Sequence, residues 1–147
     1  MTEYPVEILL VEDNPGDVLL TQKAFEASKL LNRLHVVGDG EAALSFLRRE
    51  PPFEDAVRPD LVLLDINLPK LSGPEVLQSV KADPDLRVIP VVMLTSSDRD
   101  SDVRQAYDQH VNSYITKPPS FSALMEVIRN LENYWFVVVK RPPEDDE

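Results

Sequence analysis

Five short stretches of this sequence are apolar almost without interruption: Val6–Val11, Leu34–Val37, Leu61–Leu64, Val88–Leu94 and Ser113–Ile115. A strand wetted on one face alternates apolar with polar residues, so most of these runs read as strands covered on both faces, as in a parallel sheet. Segments of helical length and period separate or follow them: Asp17–Lys29, Glu41–Arg49, Pro74–Ala82, Asp100–Gln109 and Ser120–Phe136. The expected architecture is α/β, a (βα)5 chain with a five-stranded parallel sheet and helices on both of its faces.

Boundary chemistry agrees with that layout. Pro15 suits a first helical turn, Asp39-Gly40 and Ser72-Gly73-Pro74 precede the second and third helices, and Ser97 stands three residues ahead of Asp100. In the last helix Phe121, Leu124, Met125, Ile128, Leu131 and Trp135 recur at steps of three and four, one stripe for a sheet face to bury. Pro51–Pro59 is a turn-rich connection, and no repeat of solenoid length occurs. With 147 residues the chain reads as a single domain, 1–147, with its core over about 6–136 and a short acidic tail at 140–147.

Composition removes several function classes. A net charge of −11 argues against direct nucleic-acid binding. The absence of cysteine excludes disulfide frameworks, thiolate metal sites and cysteine nucleophiles. His35 and His110 match no zinc-ligand spacing. Met1–Pro5 lacks the basic and apolar regions of a signal peptide, and no apolar run reaches membrane-spanning length, so a cytoplasmic protein without membrane contact is expected.

In open parallel sheets ligands bind outside the carboxyl ends of the strands. Here those ends carry Glu12-Asp13, Asp65, Thr95-Ser96-Ser97 and Thr116-Lys117-Pro118. Carboxylates gathered at one rim repel one another unless a cation neutralises them, and Mg2+ prefers oxygen ligands and retained water. Asp13 and Asp65 can supply those ligands, Glu12 can contribute through water, and Lys117 adds a mobile positive charge. Such a site suits phosphoryl transfer to an aspartate: Asp65 attacks, while Lys117 and the Thr95 hydroxyl hold the remaining phosphoryl oxygens. For Asp13 and Asp65 the plain competing reading is a pair of helix caps.

Val11-Glu12-Asp13-Asn14, Leu64-Asp65-Ile66-Asn67-Leu68-Pro69 with Gly73, Leu94-Thr95-Ser96 and Tyr114-Ile115-Thr116-Lys117-Pro118 occur in that order. In combination, over roughly residues 6 to 133, they resemble the receiver domain of two-component response regulators. The resemblance implies a flavodoxin-like sheet in order 2-1-3-4-5 and phosphorylation of Asp65 by a histidine kinase. It implies that Glu12 and Asp13 form the acidic pair and that the Asn67 backbone carbonyl is a further metal ligand. Thr95, with Ser96 beside it, then corresponds to the switch hydroxyl, Tyr114 to the switch aromatic and Lys117 to the phosphate-binding lysine, with a cis bond between Lys117 and Pro118. Asn67 and Ser97 flank the site, where they would tune the lifetime of the acyl phosphate. Asn14-Pro15-Gly16-Asp17 and Glu132-Asn133-Tyr134-Trp135 look like the stand-alone regulators that accompany bacterial and cyanobacterial phytochrome kinases. Taken alone, Tyr114 reads as a half-buried strand residue; only the resemblance promotes it.

Eleven residues follow Phe136, too few for an output domain, so the expected output is a protein interaction. The apolar run from Tyr134, Trp135 and Phe136 through Val139 is expected either to pack back on the domain or to be buried in a homodimer through the fourth and fifth helices. The expected activity is that of a phosphoacceptor rather than an enzyme, limited to self-phosphorylation from small donors and slow autodephosphorylation. Two rival functions fit the same topology. A Mg2+-dependent phosphatase with an aspartyl intermediate would want an acid two residues after the nucleophile, where Asn67 stands. A flavin-binding module would want a phosphate-cradling loop after the first strand, where Glu12-Asp13-Asn14-Pro15-Gly16-Asp17 repels phosphate unless a metal intervenes. Gly38-Asp39-Gly40-Glu41-Ala42-Ala43 fits the dinucleotide fingerprint, but it follows the second strand and reads as a turn with a cap.

Overall fold

A computed structural model describes residues 5–66, 68–95, 113–116 and 121–134, with residues 95, 113–116, 121 and 131–134 entering through their backbone alone. The strands are β1 (Val6–Val11), β2 (Asn32–Val37), β3 (Leu61–Asp65), β4 (Val91–Thr95) and β5 (Ser113–Thr116). The helices are α1 (Pro15–Ala27), α2 (Gly40–Arg48), α3 (Gly73–Ala82) and α4 (Phe121–Tyr134). Neighbouring strands are parallel throughout, in the order β2-β1-β3-β4-β5. The helix expected over Asp100–Gln109 lies outside the described residues.

The two-sided burial inferred from the apolar runs is what the sheet has. Successive residues of a strand point to opposite faces. Leu9, Val11, Val62, Leu64 and Met93 join Ala43, Phe46 and Leu47 of α2 and Val76, Leu77 and Val80 of α3 in one cluster. Ile8, Leu10, Leu61, Leu63 and Val92 join Ala24 and Phe25 of α1 and Leu124 and Ile128 of α4 in the other. A polar residue in the middle of β1 or β3 would therefore be buried whichever way it pointed. Leu124, Met125 and Ile128 realise the stripe read from the last helix.

Side-chain caps begin three of the helices. The Asn14 carbonyl Oδ1 accepts the Asp17 N–H at 3.0 Å, and Asp39 Oδ1 accepts the Ala42 N–H at 2.7 Å. At α3 a capping box closes: Ser72 Oγ accepts the Glu75 N–H at 3.3 Å and Glu75 Oε1 accepts the Ser72 N–H at 2.9 Å.

Four boundaries differ from expectation by more than one residue: β2 starts at Asn32 rather than Leu34, α1 ends at Ala27 rather than Lys29, and the starts of β4 and α1 are displaced as well. The run Val88–Leu94 does not begin a strand until Val91: residues 83–89 form turns, and Val88 is 69% exposed. Pro90 has no N–H to give a ladder, although its carbonyl accepts the Val62 N–H at 3.0 Å. Leu86 and Ile89 are nonetheless buried, so the apolar signal there belongs to turn residues plugging the core. α1 begins at Pro15 rather than Asp17, because the cap is Asn14.

Candidate metal centre

Because β1 and β3 are adjacent and parallel with Val11 opposite Leu64, their next residues, Glu12 and Asp65, come side by side at the carboxyl rim of the sheet. A carboxylate oxygen from each of Glu12, Asp13 and Asp65 lies within 4.8 Å of the others. Glu12 and Asp65 are each only 3% exposed, whereas Asp13 is open to solvent. Glu12 Oε2 accepts the Asn14 N–H at 3.2 Å, so one of its oxygens is already engaged by its own turn. The capping alternative for Asp13 and Asp65 fails, because those duties fall to Asn14 and Ser72.

Three carboxylates this close, two of them shut away from water, repel one another unless positive charge joins them. An octahedral Mg2+ with ligands at about 2.1 Å places its oxygens roughly 3–4 Å apart, within small side-chain rotations of the separation here. The donor set is all oxygen and open on the Asp13 side, which fits a hard divalent ion that keeps part of its water shell.

The loop leaving Asp65 is tightly held. Ile66 donates its N–H to the Leu94 carbonyl at 2.9 Å, and the Gly73 N–H returns to the Ile66 carbonyl at 2.9 Å. A Cβ on Gly73 would collide with the Asp65 carbonyl oxygen and lie 2.8 Å from Ile66 Cα. Only glycine lets α3 start against the backbone of the buried aspartate. Asp65 pairs with Leu94, so Thr95, which ends β4 opposite Thr116, shares the rim through its backbone; Tyr114 pairs with Met93. Asn67, Ser96, Ser97, Lys117 and the Lys117-Pro118 bond lie outside the described residues, as do Trp135 and Phe136. Tyr134 closes α4 through its backbone.

Sequence reasoning missed the role of Gly40. Its N–H donates to the Pro69 carbonyl at 3.4 Å, and a Cβ there would collide with the Leu71 carbonyl oxygen. The space a dinucleotide fingerprint would keep for a pyrophosphate is filled by the chain's own loop. No pattern in the sequence signals that contact, because its partner lies some thirty residues away in the chain. His35, which matched no zinc spacing, is occupied otherwise: its Nε2 lies 2.8 Å from Glu7 Oε1, while Arg33 holds Glu7 Oε2 at 3.1 Å. Far from the rim, burial pushes the Lys81 ammonium below its ordinary pKa, and its Nζ donates to the Arg87 carbonyl at 3.1 Å.

The response regulator receiver domain family model matches residues 8–129. The response regulator Rcp1 of Synechocystis sp. is 42% identical over 138 residues, covering 94% of this chain and 94% of its own. A probable methanogenesis regulatory protein, FilR2 of Methanothrix harundinacea, is 45% identical over 133 residues, 90% of this chain and 85% of that protein. Among solved structures, the phosphorylated cyanobacterial phytochrome response regulator RcpA matches with a TM-score of 0.86 and 42% identity over 95% of this chain and 100% of that one. The Mn2+-bound form of Rcp1 matches with a TM-score of 0.84 at 42% identity, over the same 95% and 100%.

Proposed function

This chain belongs to the response regulator receiver domain family, and from that premise we propose that Asp65 accepts a phosphoryl group from a histidine kinase in a Mg2+-dependent phosphorelay. The chain is homologous to the response regulator Rcp1 and to the phytochrome response regulator RcpA, and a phytochrome as its own kinase is part of the proposal. The observation that carries it is the cluster of Glu12, Asp13 and Asp65 around one point at the carboxyl rim. The complete (βα)5 flavodoxin-like architecture, in one domain with an acidic tail at 140–147, belongs to the same reading.

Asp13, Asp65 and the Asn67 carbonyl would hold Mg2+ directly, with Glu12 acting through water. When bound, the ion neutralises carboxylate and phosphoryl oxygens together. An Asp65 carboxylate oxygen forms the new bond to phosphorus as the donor's bond to phosphorus breaks, its electron pair leaving with the donor. Lys117 and the Thr95 hydroxyl, with Ser96 beside it, hold the phosphoryl oxygens, and Asn67 and Ser97 set how long the acyl phosphate lasts. A cis Lys117-Pro118 bond would aim the lysine at the rim. The product carries close to two added negative charges, which draw Thr95 inward and bias Tyr114 between two pre-existing states.

The chain is a signalling domain; its chemistry is limited to self-phosphorylation from small donors and slow autodephosphorylation, in place of phosphatase turnover. The output is a changed protein-binding surface, in a cytoplasmic protein without nucleic-acid binding, assembled as a homodimer through Tyr134, Trp135 and Phe136. Among the described residues no helix is long and apolar enough to cross a membrane.

Incubation with acetyl phosphate and Mg2+ followed by intact-mass measurement tests the central assignment. One added phosphoryl group per chain is expected, absent without metal and absent in Asp65→Asn. Catalytic release of phosphate would establish the phosphatase instead, and a bound yellow chromophore the flavin module.

A further inference from the structure

Resting on the metal reading above, we propose that the Asp39-Gly40 turn, on a different strand-to-helix connection from the carboxylates, is a positioning element for the metal centre. It would act by bracing the loop that follows Asp65. At the near end of that loop, Gly73 sits against the Asp65 and Ile66 backbone and donates to the Ile66 carbonyl at 2.9 Å. At the far end, Pro69, Lys70 and Leu71 form a γ-turn: the Leu71 N–H reaches the Pro69 carbonyl at 2.8 Å and Lys70 takes the left-handed φ of 70°. A non-glycine residue holds that conformation only where its surroundings impose it.

Gly40 supplies those surroundings. Its N–H, one of the first-turn donors of α2 with no partner inside the helix, goes to the same Pro69 carbonyl at 3.4 Å. A Cβ on Gly40 would collide with the Leu71 carbonyl oxygen and lie 2.6 Å from Leu71 Cβ. The Asp39 carboxylate divides its two oxygens: Oδ1 caps α2 through the Ala42 N–H at 2.7 Å, and Oδ2 faces Lys70 Nζ at 3.8 Å. Among the described residues no glycine has a positive φ, so Gly40 is required for closeness and not for a turn conformation. Gly38, two residues earlier, has nothing within 4 Å of the place a Cβ would occupy and serves as an internal control. Asn67, whose carbonyl is assigned to the metal, lies in sequence between the two braced ends.

If the brace sets the loop for metal, binding metal must tighten the brace by the same factor. Isothermal titration of Mg2+ into Gly40→Ala should give a dissociation constant raised roughly fivefold or more, the lower end of couplings between linked sites, with Gly38→Ala unchanged. In the unaltered protein, saturating Mg2+ should slow hydrogen exchange at the Gly40 amide more than at the Arg49 amide, which closes the other end of α2 on the Phe46 carbonyl at 3.2 Å. That measurement stands even if Gly40→Ala does not fold. Equal Mg2+ affinity in folded Gly40→Ala, or a Gly40 amide indifferent to Mg2+, overturns the brace. Failure of the unaltered protein to bind Mg2+ at all would instead overturn the metal reading on which it rests.

Discussion

Asp65 ends a strand that is buried along its whole length, in the company of two other carboxylates. Without metal these three carboxylates repel one another, by about 3.5–4 kcal/mol for a pair 4–4.8 Å apart at an effective dielectric near 20. Asp65→Asn removes one of the three charges while keeping the shape. In EDTA the variant should therefore unfold at higher urea than the parent, by on the order of 1 kcal/mol. Mg2+ at a hundred times its dissociation constant should stabilise the parent by about 2.7 kcal/mol and the variant far less, reversing the order. A variant less stable than the parent in EDTA would mean that the carboxylates do not strain the metal-free protein. This tension was legible in the sequence as acids at strand ends. Their convergence depended on the register that sets Val11 beside Leu64.

The elements are held by local signals that the sequence states openly. Asp39 and Ser72 cap where their spacing from a following helix says they should, because a cap is satisfied within three residues and needs no distant partner, while the Asn14 cap sets the start of α1 two residues earlier than its period suggested. The box at α3 is the one nearest the site, since the helix it opens rests on Asp65. Ser72→Ala should cost about 1 kcal/mol in urea unfolding, and Ser72→Asp should recover most of it. An unchanged midpoint in Ser72→Ala would show that contacts elsewhere hold the first turn of α3. Element reading failed where burial came from something other than regular structure. Ile89, read as part of the fourth strand, is as apolar and as buried as a strand residue, yet it sits in a turn, and hydrophobicity alone does not distinguish the two.

At the scale of the whole molecule, the sheet divides its apolar residues between two helix-covered clusters. Beyond this core the sequence continues from Tyr134 to Val139 with six apolar or aromatic residues in succession. Such a run calls for cover from its own domain or a second copy, and the dimer follows from the second case. Sedimentation equilibrium at tens of micromolar should report a dimer that Trp135→Glu converts to monomer. A monomer at high concentration, with and without a phosphoryl analogue, removes the homodimer and leaves the phosphoacceptor assignment untouched.

The amino-acid order by itself determined the layered parallel architecture, the caps and the inventory of oxygen-bearing side chains at the strand ends. Each of these is written in short-range pattern: period, spacing from a helix start, the last residue of an apolar run. Tertiary structure alone decided that Glu12, Asp13 and Asp65 meet within 4.8 Å, that Glu12 is buried and Asp13 is not, and that Gly40 and Gly73 are places where backbones touch. Those facts depend on strand order, register and the approach of one loop to another. They arise when residues tens of positions apart compete for the same space, and no local signal records which of them will win it.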